Sequence, residues 1–108
     1  MLERLAACVA DINEEYGLEI DLETVAEIYG DSVVESLASA QEDTLRNIAY
    51  LISREFGEDV SDICNRFAPI LLYDTDEFAE KVSALIDDMG EDYVDVMGED
   101  MSCWEALL

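Results

Sequence analysis

Leu2, Leu5, Val9, Ile12 and Tyr16 follow one another at intervals of three, four, three and four residues, a spacing that aligns all five on one side of an α-helix but scatters them over both faces of a strand. The same rhythm returns in Leu22, Val25, Ile28 and Tyr29, in Leu45, Ile48, Ile52 and Phe56, and in Phe78, Val82, Leu85 and Ile86. One proline, Pro69, and five glycines are too few for the turns of a chain built from many short strands. The expected fold class is therefore all-α, a single compact helical domain over residues 1–108 with about five or six helices.

Local signals set the expected boundaries. Gly17 closes the first helix, Asp21 caps the second and Gly30 stops it. Ser32-Val-Val-Glu35 and Ser39-Ala-Gln-Glu42 both fit the capping box, so Ser32 reads as an N-cap, and the region is either one long helix or two meeting near Ser39. The stripe from Leu45 to Phe56, widened by Ala49 and Leu51, marks the central core helix, ending at Gly57. Within it, Arg46 and Arg54 are expected to pair with nearby carboxylates. Ser61 opens a helix bearing Ile63, Cys64, Phe67 and Ile70, which Pro69 ends or kinks. Asp74-Thr-Asp-Glu77 starts the next helix, and Ser102-Cys-Trp-Glu105 fits the cap of a last turn. Trp104, Leu107 and Leu108 are expected to seal the core; the sharper alternative is a docking tail led by Trp104 and Met101. Ile12-Asn-Glu-Glu-Tyr16-Gly17-Leu-Glu-Ile20 echoes Ile52-Ser-Arg-Glu-Phe56-Gly57-Glu-Asp-Val60, each copy reading as helix, glycine stop, short link and helix. Two copies fall short of a solenoid.

Charge is the second constraint. Asp and Glu number 28 against 5 Lys and Arg, a net charge of −23, yet 51% of residues are hydrophobic, a fraction that disordered acidic chains lack. Asp74 to Glu105 carries twelve of the carboxylates against the single Lys81, a local net charge of −11. Glu23 and Glu27 stand at i and i+4, where like charges repel by a few tenths of a kcal/mol. Asp87 and Asp88 fall at the C-terminal end of their helix, against its dipole. Acids at positions that weaken helices point to a role outside folding.

Catalytic chemistry has little to work with. Histidine, the usual near-neutral acid–base and the commonest nitrogen metal ligand, is absent. No phosphate-binding loop, dinucleotide fingerprint or nucleophile elbow occurs. Cys8, Cys64 and Cys103 are too dispersed for a zinc site and read as reduced thiols, and the glycines at 90 and 98 sit at the wrong offsets from Asp87, Asp88, Asp92 and Asp95 for an EF-hand. No secretory signal and no apolar run long enough for a membrane span is found. The expectation is a cytoplasmic protein that is not an enzyme and takes no metal or cofactor.

Two resemblances bear on function. Gly30-Asp31-Ser32-Val33-Val34-Glu35-Ser36-Leu37 resembles the acyl carrier protein attachment site, which implies phosphopantetheine on Ser32. In size, charge and helical character the whole chain resembles small phage-encoded acidic inhibitors, the anti-CRISPR and anti-restriction DNA mimics. Duplex DNA carries one charge per about 1.7 Å of axis, so this net charge matches about 39 Å of duplex, close to the expected diameter of a domain whose radius of gyration is about 13 Å. That resemblance implies a non-catalytic inhibitor in the host cytoplasm. Its partner would be a basic nucleic-acid-binding protein, a CRISPR effector or restriction component, bound with no direct contact to nucleic acid or membrane. The candidate partner-binding residues are Asp74, Asp76, Glu77, Glu80, Asp87, Asp88, Glu91, Asp92 and Asp95, with Glu23 and Glu27 as a second row. The alternatives are a carrier modified at Ser32 and a generic acidic or halophilic helical interaction protein.

Overall fold

The computed structural model describes residues 2–108, which contain no strand. Among the described residues the chain forms seven α-helices: α1 (Leu2–Tyr16), α2 (Leu22–Tyr29), α3 (Asp31–Ser39), α4 (Gln41–Ser53), α5 (Asp59–Arg66), α6 (Thr75–Met89) and α7 (Tyr93–Glu99). Two 3-10 segments, Ala68–Leu72 and Met101–Leu107, complete it. The all-α expectation stands, but the count of five or six helices was too low, because Ala40 divides α3 from α4 and the short stretch after Gly90 forms a helix of its own, α7.

The helix starts divide by how local their chemistry is. Asp21 and Asp74 cap α2 and α6 as expected, accepting from the backbone N–H of Glu23 at 2.9 Å and of Glu77 at 3.1 Å. Neither serine capping box forms. Gly30 and Ala40 are the N-cap residues of α3 and α4, and neither helix has a side-chain cap, so Ser32 lies inside the first turn and Ser39 ends the previous helix. α5 starts at Asp59, two residues ahead of Ser61, whose Oγ instead accepts from the Glu19 N–H at 2.8 Å. Asp100, not Ser102, caps the last segment by accepting from the Ser102 N–H.

α4 is the hub, touching α1, α3, α5, α6 and the Ala68–Leu72 segment. Its buried face is Thr44, Asn47, Ile48 and Leu51, rotated from the apolar stripe, with Leu45 and Ile52 half-buried and Ala49 exposed. Two polar residues occupy that face and both donate hydrogen bonds, although Asn47 Oδ1 is buried without a partner among the described residues. Thr44 Oγ1 donates to the Leu37 carbonyl at 2.9 Å, and Asn47 Nδ2 donates to the carbonyls of Leu71 at 3.0 Å and Tyr73 at 2.8 Å. Asn47 thus ties the segment after Pro69 to the centre of the molecule.

The C-terminal residues complete the core. Trp104 is 0% exposed and meets Phe56 edge-on at 5.4 Å between ring centroids, and the Tyr73 hydroxyl donates to the Leu107 carbonyl at 2.6 Å. Met101 is buried as well, so neither residue leads a docking tail. Leu108, expected to seal the core, is exposed, as are Leu2, Tyr16 and Ile28 of the apolar stripes.

Candidate protein-binding surface

α6 carries the densest part of the acidic segment. Phe78, Val82 and Ile86 form its buried stripe, held against α4 by the edge-on contact of Phe78 with Tyr50 at 6.0 Å and by a 2.8 Å hydrogen bond between the Tyr50 hydroxyl and Ser83 Oγ. With 3.6 residues per turn, Asp76, Glu77, Glu80, Asp87 and Asp88 fall within about 120° of arc, on the side opposite that stripe. All five are exposed. From Asp76 to Asp88 the helix rises about 18 Å at its standard pitch. Asp74, the N-cap of α6, and Glu91, Asp92 and Asp95, which follow the Gly90 corner toward and into α7, are also exposed, and α7 packs against α6.

These charges are not neutralised from within. Among the described residues the one ion pair joins Arg46 to Glu42 at 2.6 Å, one turn apart on the exposed side of α4. The expected carboxylate partner of Arg54 is absent. Its guanidinium lies over the Tyr50 ring at 5.9 Å, that of Arg66 over Phe67 at 5.4 Å, and the Lys81 ammonium over Tyr73 at 5.2 Å. Three of the chain's five Lys and Arg side chains are therefore turned to aromatic faces, and no carboxylate of the α6 row is in an ion pair among the described residues.

Glu23 and Glu27 are also exposed but stand on α2, whose neighbours are α3 and α5, whereas those of α6 are α4 and α7. The two rows lie on different helix pairs. What sequence reasoning missed is a second acidic region where α4 turns into α5. Glu58, Asp62, Glu19, Ser61 and Gly17 line one cleft there, and Asp59 sits beside Gly98 of α7. Partial burial, followed by the fields of Asp62 and Glu58, raises the Asp59 carboxyl above its ordinary value. The run Glu58-Asp59-Val-Ser-Asp62 was visible, but its meeting with Glu19 depends on α2 packing on α5.

Other chemistry is sparse. Cys8, Cys64 and Cys103 are free thiols, and burial pushes Cys64 up to about 12, far from the thiolate range of reactive cysteines. Among the described residues no group of three or more Cys, Asp or Glu side chains is arranged to hold a metal ion, and no helix is long and apolar enough to cross a membrane. Ser32 is exposed on the first turn of α3, directly after Asp31. Compared with known proteins, the chain matches no family model, no curated protein and no solved structure.

Proposed function

We propose that this protein is a non-catalytic binder that covers the phosphate-binding surface of a basic nucleic-acid-binding protein by imitating DNA. The observation that carries this reading is the unpaired carboxylate row on the outer face of α6. Its five charges over about 18 Å compare with the roughly five phosphates that one strand of duplex presents over the same length. Overall dimensions agree. The molecule measures 38 × 25 × 24 Å, and duplex of its long dimension carries about 22 charges against the net −23 here. Complementary fields would speed encounter with the Lys and Arg of a phosphate-binding channel and would make binding salt-dependent. A CRISPR effector or a restriction component is the kind of partner this chemistry suits.

The test is capture and competition. Immobilised protein is expected to retain a basic nucleic-acid-binding protein from a bacterial lysate, and duplex DNA is expected to displace it. Replacing Asp87, Asp88, Asp92 and Asp95 together by Lys should slow association and leave the fold intact, since all four side chains are exposed. Capture that ignores both competing DNA and the fourfold variant would refute DNA mimicry. A second reading, a carrier modified at Ser32, is favoured by one observation, the exposed hydroxyl behind Asp31 at a helix start.

A further inference from the structure

The two glycine corners that echo each other in sequence meet in space and enclose a cleft. Gly17 (φ 66°) follows α1 and Gly57 (φ 62°) precedes α5, both in the left-handed region that glycine enters without steric cost. Glu55 (φ 64°) is the one non-glycine among the described residues in that region, a conformation that L-residues rarely adopt. The cleft between the corners has a volume of about 280 Å³ and is lined by Tyr16, Leu18, Ile52, Glu55, Gly57 and Glu58. Glu58 also forms a wall of the adjoining acidic cleft that holds Glu19 and Asp62.

We infer that this cleft is an anchor site for an arginine side chain presented by a protein partner. Its walls have two chemistries side by side: aliphatic surface from Leu18 and Ile52 with the half-exposed ring of Tyr16, then the carboxylates of Glu55 and Glu58. Among the described residues neither carboxylate is in an ion pair, and the nearest basic residue in sequence, Arg54, lies over Tyr50 instead. A ligand that satisfies both halves needs an apolar stem ending in a cation. Arginine fits further than lysine, because its planar guanidinium both stacks on an aromatic ring and donates two parallel hydrogen bonds to a carboxylate. A metal ion would leave the aliphatic half without a contact, and a second copy of this chain is opposed by a net charge of −23. The inference rests on the reading that the protein binds a basic partner, and it names the side chain and a second point of contact away from α6.

The test is a titration of the isotope-labelled full chain with a capped Gly-Gly-Arg-Gly-Gly peptide at physiological salt, beside Lys and norleucine versions. Saturable amide shifts are expected at Leu18, Gly57 and Glu58, with the Arg peptide bound about fivefold or more tightly than the Lys peptide and the norleucine peptide not bound. Tyr16→Ala and Glu58→Gln should each weaken the Arg peptide by about five- to tenfold while leaving the circular dichroism unchanged. Equal binding of Arg and Lys peptides, or indifference to both substitutions, would overturn the assignment. The fourfold α6 variant separates the two ideas. It should bind the peptide normally, so a failed peptide titration beside DNA-competed, α6-dependent capture removes the cleft and keeps mimicry, and the converse removes mimicry and keeps the cleft.

Discussion

The Tyr93 hydroxyl donates to the Arg54 carbonyl at 2.7 Å, across 39 residues of sequence, so the first residue of α7 fastens the end of α4 immediately before the strained Glu55. The ring of Tyr93 also meets Phe56 edge-on at 5.6 Å. Tyr93→Phe keeps the ring and removes only the hydrogen bond. Its expected cost is about 1 kcal/mol, read as a lower denaturation midpoint at unchanged slope.

Asn47→Ala should cost more, about 3 kcal/mol, because it opens a cavity in the hub helix and strands the carbonyls of Leu71 and Tyr73. Chemical denaturation measures this directly. A loss near that of an exposed substitution would show that the segment after Pro69 is held by other contacts.

The helices with local start signals were legible in the sequence. Asp21 and Asp74 cap through bonds to residues two and three positions ahead, which any reader of the chain can see. The serine boxes failed for two reasons: α3 begins at Asp31, one residue before Ser32, and Ser39 is still the last residue of α3, so that Ala40 takes the cap position of α4. Asn47 escaped because its partners lie 24 and 26 residues away. The α6 row was legible, since helical period alone sorts its acids from Phe78, Val82 and Ile86. The cleft at the glycine corners was only half legible, as an echo without a reason for the two copies to touch.

Salt should stabilise the folded state. With one exposed ion pair among the described residues to lose and many carboxylates to screen, raising sodium chloride from low ionic strength to about 0.5 M is expected to raise the melting temperature, as screening shortens the reach of each charge below about 8 Å. The protein should remain folded at the low-salt end. Unfolding there would favour a halophilic origin for its acidity.

Acidification tests the corner carboxylates. Asp59 has its pKa raised above the ordinary 3.8, so just above that value the folded state holds more protons than the unfolded one, and stability falls as pH rises through the folded pKa. Asp59→Asn should therefore stabilise the protein at neutral pH, and the advantage should vanish once both states are protonated below the ordinary carboxylate range. Equal effects at both pH values would mean that the substitution acts through packing and not through charge.

Incubation with coenzyme A and a permissive phosphopantetheinyl transferase is expected to leave the mass of the protein unchanged. A stoichiometric addition lost in Ser32→Ala would replace the binder reading with the carrier one.

Trp104 is the chain's one tryptophan, and it sits fully enclosed against Phe56. Its fluorescence therefore works as a built-in gauge of the fold alone. Emission should be blue-shifted and shielded from iodide while the core is closed, and should move to the red only on unfolding. A partner that settles on the acidic face without opening the core should leave the emission blue-shifted and shielded, so a red shift on binding would report that the core has opened.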